Sequence, residues 1–149
     1  MPNNYLDLKK INDSQVQKDY FPFFTVNKSL LETIDSSSLV EDFPEISEGG
    51  SFPVTSSTGL KMKELIQELE GSEFKQLLQE KFEVELNDKP VVTTLRGYSR
   101  LKDGKIHTDS STKVITVLLY LNKDWNKNEG HLRLLKNNEN LEDFIEEVP

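Results

Sequence analysis

Apolar positions along this 149-residue chain change their spacing near residue 90. Before that point the clearest pattern is helical. Leu60, Met62, Leu65, Ile66 and Leu69 recur at helix-like intervals, and Phe74, Leu77, Leu78 and Phe82 repeat them at i, i+3, i+4 and i+8. Gly71 separates the two runs. The pattern predicts two amphipathic helices joined at Gly71, each with one face for packing on a sheet. Upstream, the aromatic run YFPFFTV (20–26) predicts a short strand with Pro22 near its edge, because proline cannot donate to a ladder. NKSLLETI (27–34) predicts a short helix capped by Asn27 or Ser29. SSSLVEDFPEI (36–46) predicts a further helical turn that stops before Pro44.

Beyond Pro90 the chain reads as strands. VVTTLRGYS (91–99) is β-branched. GKIHTD (104–109) follows a turn signal at Asp103-Gly104. KVITVLLYL (113–121) is apolar on both alternating faces, with Leu118 and Tyr120 on one and Val117, Leu119 and Leu121 on the other. Such a strand is expected to be buried on both sides. NKDWNKNEG (122–130) reads as a loop, HLRLL (131–135) as a fourth strand, and ENLEDFIEEVP (139–149) as one helical turn. DSSS (35–38), EGGS (48–51) and TSSTG (55–59) are loop-like. Helices first and then antiparallel strands describe an α+β chain with a β-sandwich or barrel core. The loops punctuate one domain of residues 1–149 and do not divide it. Residues 1–89 form its support and 90–149 its strand-rich part.

Composition narrows the chemistry. There is no cysteine and there are two histidines, so a metal would have to be held by histidine and carboxylate. Basic and acidic residues number 18 and 26, a net charge of −8, which argues against binding a nucleic-acid backbone. No apolar run reaches the roughly 18 residues of a membrane span. The N-terminal residues lack the apolar segment of a signal peptide. The expectation is a cytoplasmic protein that does not engage membranes.

One short stretch then stands out. In a strand, His107 and Asp109 project from the same face, placing an imidazole beside a carboxylate. That pair supplies two members of the 2-His-1-carboxylate arrangement used by non-haem Fe(II) oxygenases. Taken alone, a His-x-Asp pair is far more often a solvated turn than a metal site. Tyr98 and Tyr120, taken alone, read as sheet aromatics with their hydroxyls toward solvent. Lys113 reads as a solvated residue at the strand entry. Arg96, Arg100 and Arg133 read as surface or salt-bridge residues, and Trp125 as loop packing.

The run RGYSRLKDGKIHTDSSTKVITVLLYLNKDWNKNEGHLRLL (96–135) resembles the core of the 2-oxoglutarate and Fe(II)-dependent oxygenases, in their prolyl-4-hydroxylase-like branch. YFPFFTVNKSLLETI (20–34) and EDFPEISEGGSFP (41–53) are similar to the N-terminal region of bacterial members. The resemblance implies a double-stranded β-helix, a cupin-like jelly-roll, with supporting N-terminal helices outside. It implies that His107 and Asp109 are iron ligands and that Tyr98 and Tyr120 line the 2-oxoglutarate pocket. It implies Fe(II) and 2-oxoglutarate as cofactors, O2 as co-substrate, and hydroxylation of a C–H bond in a protein or peptide side chain or a small molecule. The family's third ligand, a distal histidine, and the basic residue that clamps 2-oxoglutarate have no counterpart before Pro149. His131 does not match the distal ligand. The chain is therefore expected to be the first two-thirds of the domain, to bind Fe(II) weakly and to lack activity. It is also expected to self-associate through exposed strand edges. The competing readings are a non-catalytic β-sandwich binding module and a structural, oligomerising one.

Overall fold

The computed structural model describes residues 4–44, 51–54, 58–96, 109, 111–121, 132–136, 142 and 144–148. Within these, the chain is mixed α and β. In order it forms α1 (Leu8–Asp13), α2 (Ser36–Glu41), β1 (Ser51–Pro53), α3 (Leu60–Glu70), α4 (Ser72–Phe82), β2 (Thr94–Arg96), β3 (Leu132–Leu135) and β4 (Phe144–Val148). The described strands make two antiparallel pairs, β1 with β2 and β3 with β4. No described helix is long and apolar enough to cross a membrane.

The helical hairpin forms where the periodicity placed it. Met62, Leu65 and Ile66 of α3 and Phe74 and Leu78 of α4 are buried, with Leu69, Leu77 and Phe82 packed against them. Leu60 departs from the expected stripe and is 71% exposed. The reason is angular. At about 100° per residue, Met62, Leu65, Ile66 and Leu69 cluster on one side of the helix and Leu60 falls opposite. Leu60 instead occupies the first turn, beside a cap made by a distant residue. Asp42 Oδ2 accepts the Lys61 N–H at 2.7 Å, and the Gly59 N–H donates to the Asp42 carbonyl at 2.9 Å. Gly59 is needed for this approach, because a Cβ there would lie 2.5 Å from the Asp42 Cγ.

The N-terminal half is held by pairing that local pattern did not reveal. Residues 27–34 do not form the expected helix. Leu6 bridges Leu30, with Asp7 N–H donating to the Ser29 carbonyl and Leu31 N–H to the Tyr5 carbonyl, both at 2.8 Å. Those long-range bonds take backbone groups that a helix would have used. The aromatic run at 20–26 likewise contributes one bridge, Gln17 to Phe23, and no extended strand. Its Phe24 and Val26 pack on the core, with the Phe24 and Phe82 rings 5.6 Å apart. α2 matches the expected turn and begins one residue into DSSS, because the Asp35 side chain accepts the Ser37 N–H and caps it.

The last described element corrects an expectation. Residues 144–148 are strand β4, not a helical turn. β4 lies against β3 with Arg133 opposite Glu147 and a register shift between Leu134 and Leu135. Arg133 Nε donates to Glu147 Oε2 at 2.6 Å, its Nη1 donates to Glu142 Oε1 at 3.1 Å, and its guanidinium lies over the Phe144 ring. A partner strand and a positioned cation turned a short acidic segment to β.

Candidate functional site

The structure describes two of the four residues singled out by the resemblance. Asp109 and Tyr120 are described, whereas His107 and Tyr98 lie outside the described residues, as do Arg100, Trp125 and His131. Asp109 precedes a turn at Ser111 and Thr112, and the chain then runs through residues 113–121.

That segment differs from the expected central strand. It joins no ladder with a described strand, and its apolar side chains are only partly covered. Ile115, Leu119 and Leu121 pack against the core built by the helices and β2. Val114, Val117, Leu118 and Tyr120 are about half exposed. Apolar residues on both faces thus did not require burial on both faces. The core takes Ile115, Leu119 and Leu121, while Thr116, Val117, Leu118 and Tyr120 stand outward.

Asp109 is exposed, and its Oδ2 accepts a hydrogen bond from the Thr116 hydroxyl at 2.5 Å. This is the short distance typical of a hydroxyl donating to a charged carboxylate. The contact spans seven residues and ties the carboxylate to the packed segment. Thr116 had no functional signal in the sequence, since a threonine in a β-branched run looks like ordinary strand composition. One carboxylate oxygen of Asp109 is thus engaged by a side chain of the packed segment. Among the described residues, no three His, Cys, Asp or Glu side chains gather into a metal-sized group.

Tyr120 is placed by Leu119 and Leu121, which flank it and pack inward. Partial burial pushes its phenol above the ordinary value of 10.0, and the Arg96 charge at the end of β2 pulls the other way. Burial is the larger influence, so the phenol keeps its proton to higher pH in the fold than in the unfolded chain. The consequence has a definite sign. The folded state binds this proton more tightly, so the contribution to stability is present below pH 10 and is lost as pH rises through the folded value. In an ultraviolet titration, the difference between the wild type and Tyr120→Phe is expected to show a midpoint above 10. A midpoint below 10 would mean that Arg96 outweighs burial.

No hydrogen bond joins Asp109 to Tyr120. Arg96 is exposed on β2, where the neighbouring Leu95 is buried opposite Phe52. Arg133 is committed to Glu142 and Glu147, in agreement with its salt-bridge reading. A separate open groove of about 330 Å³ lies between α1 and α4, lined among others by Leu8, Lys9, Glu73, Leu77 and Glu80. None of the residues expected at the site lines it.

Compared with known proteins, the chain matches no protein-family model, no curated protein and no solved structure.

Proposed function

We propose that this chain carries the His-x-Asp wall of a 2-oxoglutarate and Fe(II)-dependent oxygenase of the jelly-roll type. Its reaction would be hydroxylation of a C–H bond in a protein side chain or a small molecule. The observation that carries the reading is the stretch 96–135, where His107 and Asp109 stand between Tyr98 and Tyr120 in a run resembling that family's core. Bound to these ligands, Fe(II) would supply oxygen activation coupled to decarboxylation of 2-oxoglutarate. The chain's own residues have simpler tasks. Asp109 offers an anionic oxygen, which a divalent ion prefers to water when the ligand is already oriented. Tyr120, with its proton retained by partial burial, remains a hydrogen-bond donor suited to a carboxylate. Arg96 adds positive charge near that phenol. With His107 and Asp109 as its two named protein ligands, the reading entails weak metal binding.

The test is titration with Mn(II), a redox-quiet stand-in for Fe(II), with and without 2-oxoglutarate. Binding is expected to strengthen when 2-oxoglutarate is present and to disappear in His107→Ala and Asp109→Ala. Wild-type protein that leaves millimolar Mn(II) free under both conditions overturns the reading. So does binding that survives both substitutions. One observation favours the alternative of a non-catalytic binding or self-associating module. Val114, Val117, Leu118 and Tyr120 present apolar surface on one outward-facing segment. A dimer by light scattering together with absent Mn(II) binding would select that alternative.

A further inference from the structure

We propose that the groove between α1 and α4 is a docking surface for a cationic amphipathic helix of a partner protein. The apolar side chains of that helix lie on Leu8 and Leu77, and its lysines or arginines meet Glu73 and Glu80.

The groove holds about 330 Å³ and is open to solvent. Its floor is apolar. Leu8 and Leu77 pack on the main core while each keeps part of its surface toward the groove. Its walls are fixed before anything binds. Lys81 of α4 donates to the Asn12 and Ser14 carbonyls at the end of α1, and Ile11 of α1 shares the core with Phe74 and Leu78 of α4. A groove already formed spares a partner the cost of ordering it.

Charge selects the occupant. Glu73 and Glu80 are exposed on the α4 wall, seven residues apart, which is about 10.5 Å along a helix axis. Leu77 lies between them. Neither carboxylate has an ion pair among the described residues. The lining cation, Lys9, is held by Asp13 at 2.8 Å. Lys75 of α4 is directed elsewhere and donates to the Lys89 carbonyl at 2.6 Å. With Lys9 offset by Asp13, Glu73 and Glu80 leave the groove negative. On a chain of net charge −8, this favours a basic partner at long range as well as in contact. A docked helix repeats the same rise. Basic residues seven positions apart beside its apolar stripe reach both carboxylates whichever way the helix runs. An acidic helix would set like charges against each other.

The plainer account is that Glu73 and Glu80 are the solvated face of α4. Glu73 complements the N-terminal end of that helix, and Glu80 accepts from the Gln76 amide at 3.3 Å. A solvated face attracts a cationic peptide through net charge alone, whereas a docking groove depends on these two positions. The probe is a fluorescein-labelled helical peptide of leucine, alanine and lysine, about four turns long, with lysines seven positions apart beside a leucine stripe. Its binding to the full chain is followed by fluorescence anisotropy. The Glu73→Gln/Glu80→Gln variant is expected to bind it about tenfold more weakly, within the range for losing two exposed ion pairs. The Glu32→Gln/Glu41→Gln variant removes the same charge from exposed positions outside the groove and is expected to stay within about twofold of wild type. Replacing the leucines of the peptide by serine is expected to abolish measurable binding, and backbone amide shifts should move at 8–12 and 73–80. Equal weakening in the two variants overturns the docking surface in favour of net-charge attraction. Full affinity for a peptide with glutamate in place of lysine, full affinity for the serine peptide, or no binding at millimolar peptide also overturns it. A dimer that forms without peptide and shifts the same amides assigns the groove to a second copy and overturns the proposal as well.

Discussion

Leu65→Ala is expected to lower stability by about 3–4 kcal/mol, because the site is sealed and the truncation leaves a cavity. Leu65 is 1% exposed and sits mid-helix on α3 between Met62, Ile66 and Leu69 in the main core. α3 packs against both α4 and α2, so the gap closes only if helices shift. Domains of this size are stable by about 5–15 kcal/mol, so the loss is a large share of the total. Urea unfolding monitored by circular dichroism measures it. Leu60→Ala provides an internal control on the same helix. Leu60 is 71% exposed, and its truncation is expected to change stability by about 0.5 kcal/mol or less. Similar costs at the two positions would show that the buried face of α3 has been misassigned.

The second large effect is expected from Glu68→Ala. The Glu68 carboxylate accepts the backbone N–H of Tyr5 at 2.6 Å and of Leu6 at 3.1 Å. Both residues are almost fully buried. One turn earlier, Glu64 accepts the Tyr5 hydroxyl at 2.5 Å. Two carboxylates spaced i, i+4 repel one another on a bare helix. Here three donors from the N-terminal segment face them and offset that repulsion. Removing Glu68 takes the carboxylate acceptor from two buried N–H groups, and losing such an acceptor costs about 1–3 kcal/mol. A loss of about 2–4 kcal/mol is expected, with Glu68→Gln costing roughly half because its amide still accepts one bond. Native-state hydrogen exchange gives the diagnostic. The Tyr5 and Leu6 amides should lose protection before the α3 amides do. Unchanged protection at Tyr5 and Leu6 would show that the Leu30 bridge alone holds the segment.

These two positions differ in how far sequence could reveal them. Leu65 is legible because a helix buries residues at a fixed local period, and the pattern of Met62, Leu65, Ile66 and Leu69 states the face before any partner is known. Glu68 is not legible. A glutamate in an amphipathic helix looks solvated, and only the arrival of Tyr5, some sixty residues earlier, gives it two buried donors. The functional stretch divides in the same way. Asp109 was nominated by its two-residue spacing from His107, whereas Thr116 became notable only when the turn brought its hydroxyl to the carboxylate. Strand β4 is not legible because FIEEV is short and carries two adjacent glutamates. Its conformation came from pairing with β3, with Arg133 drawing Glu147 across the register.

What the sequence by itself determined is therefore local and periodic. It specified the α3–α4 hairpin with its break at Gly71, the turn of helix ending ahead of Pro44, the change to β-branched segments beyond Pro90, and a candidate His-x-Asp pair. Tertiary structure decided which face of 113–121 meets the core, where the N-terminal segment docks, and that the last described residues pair as a strand. The physical reason is the range of the forces involved. Helical hydrogen bonds and apolar stripes close within a few residues. Strand pairing, side-chain capping by Asp42 and the carboxylate clamp at Glu68 depend on groups that meet only after the chain has folded back on itself.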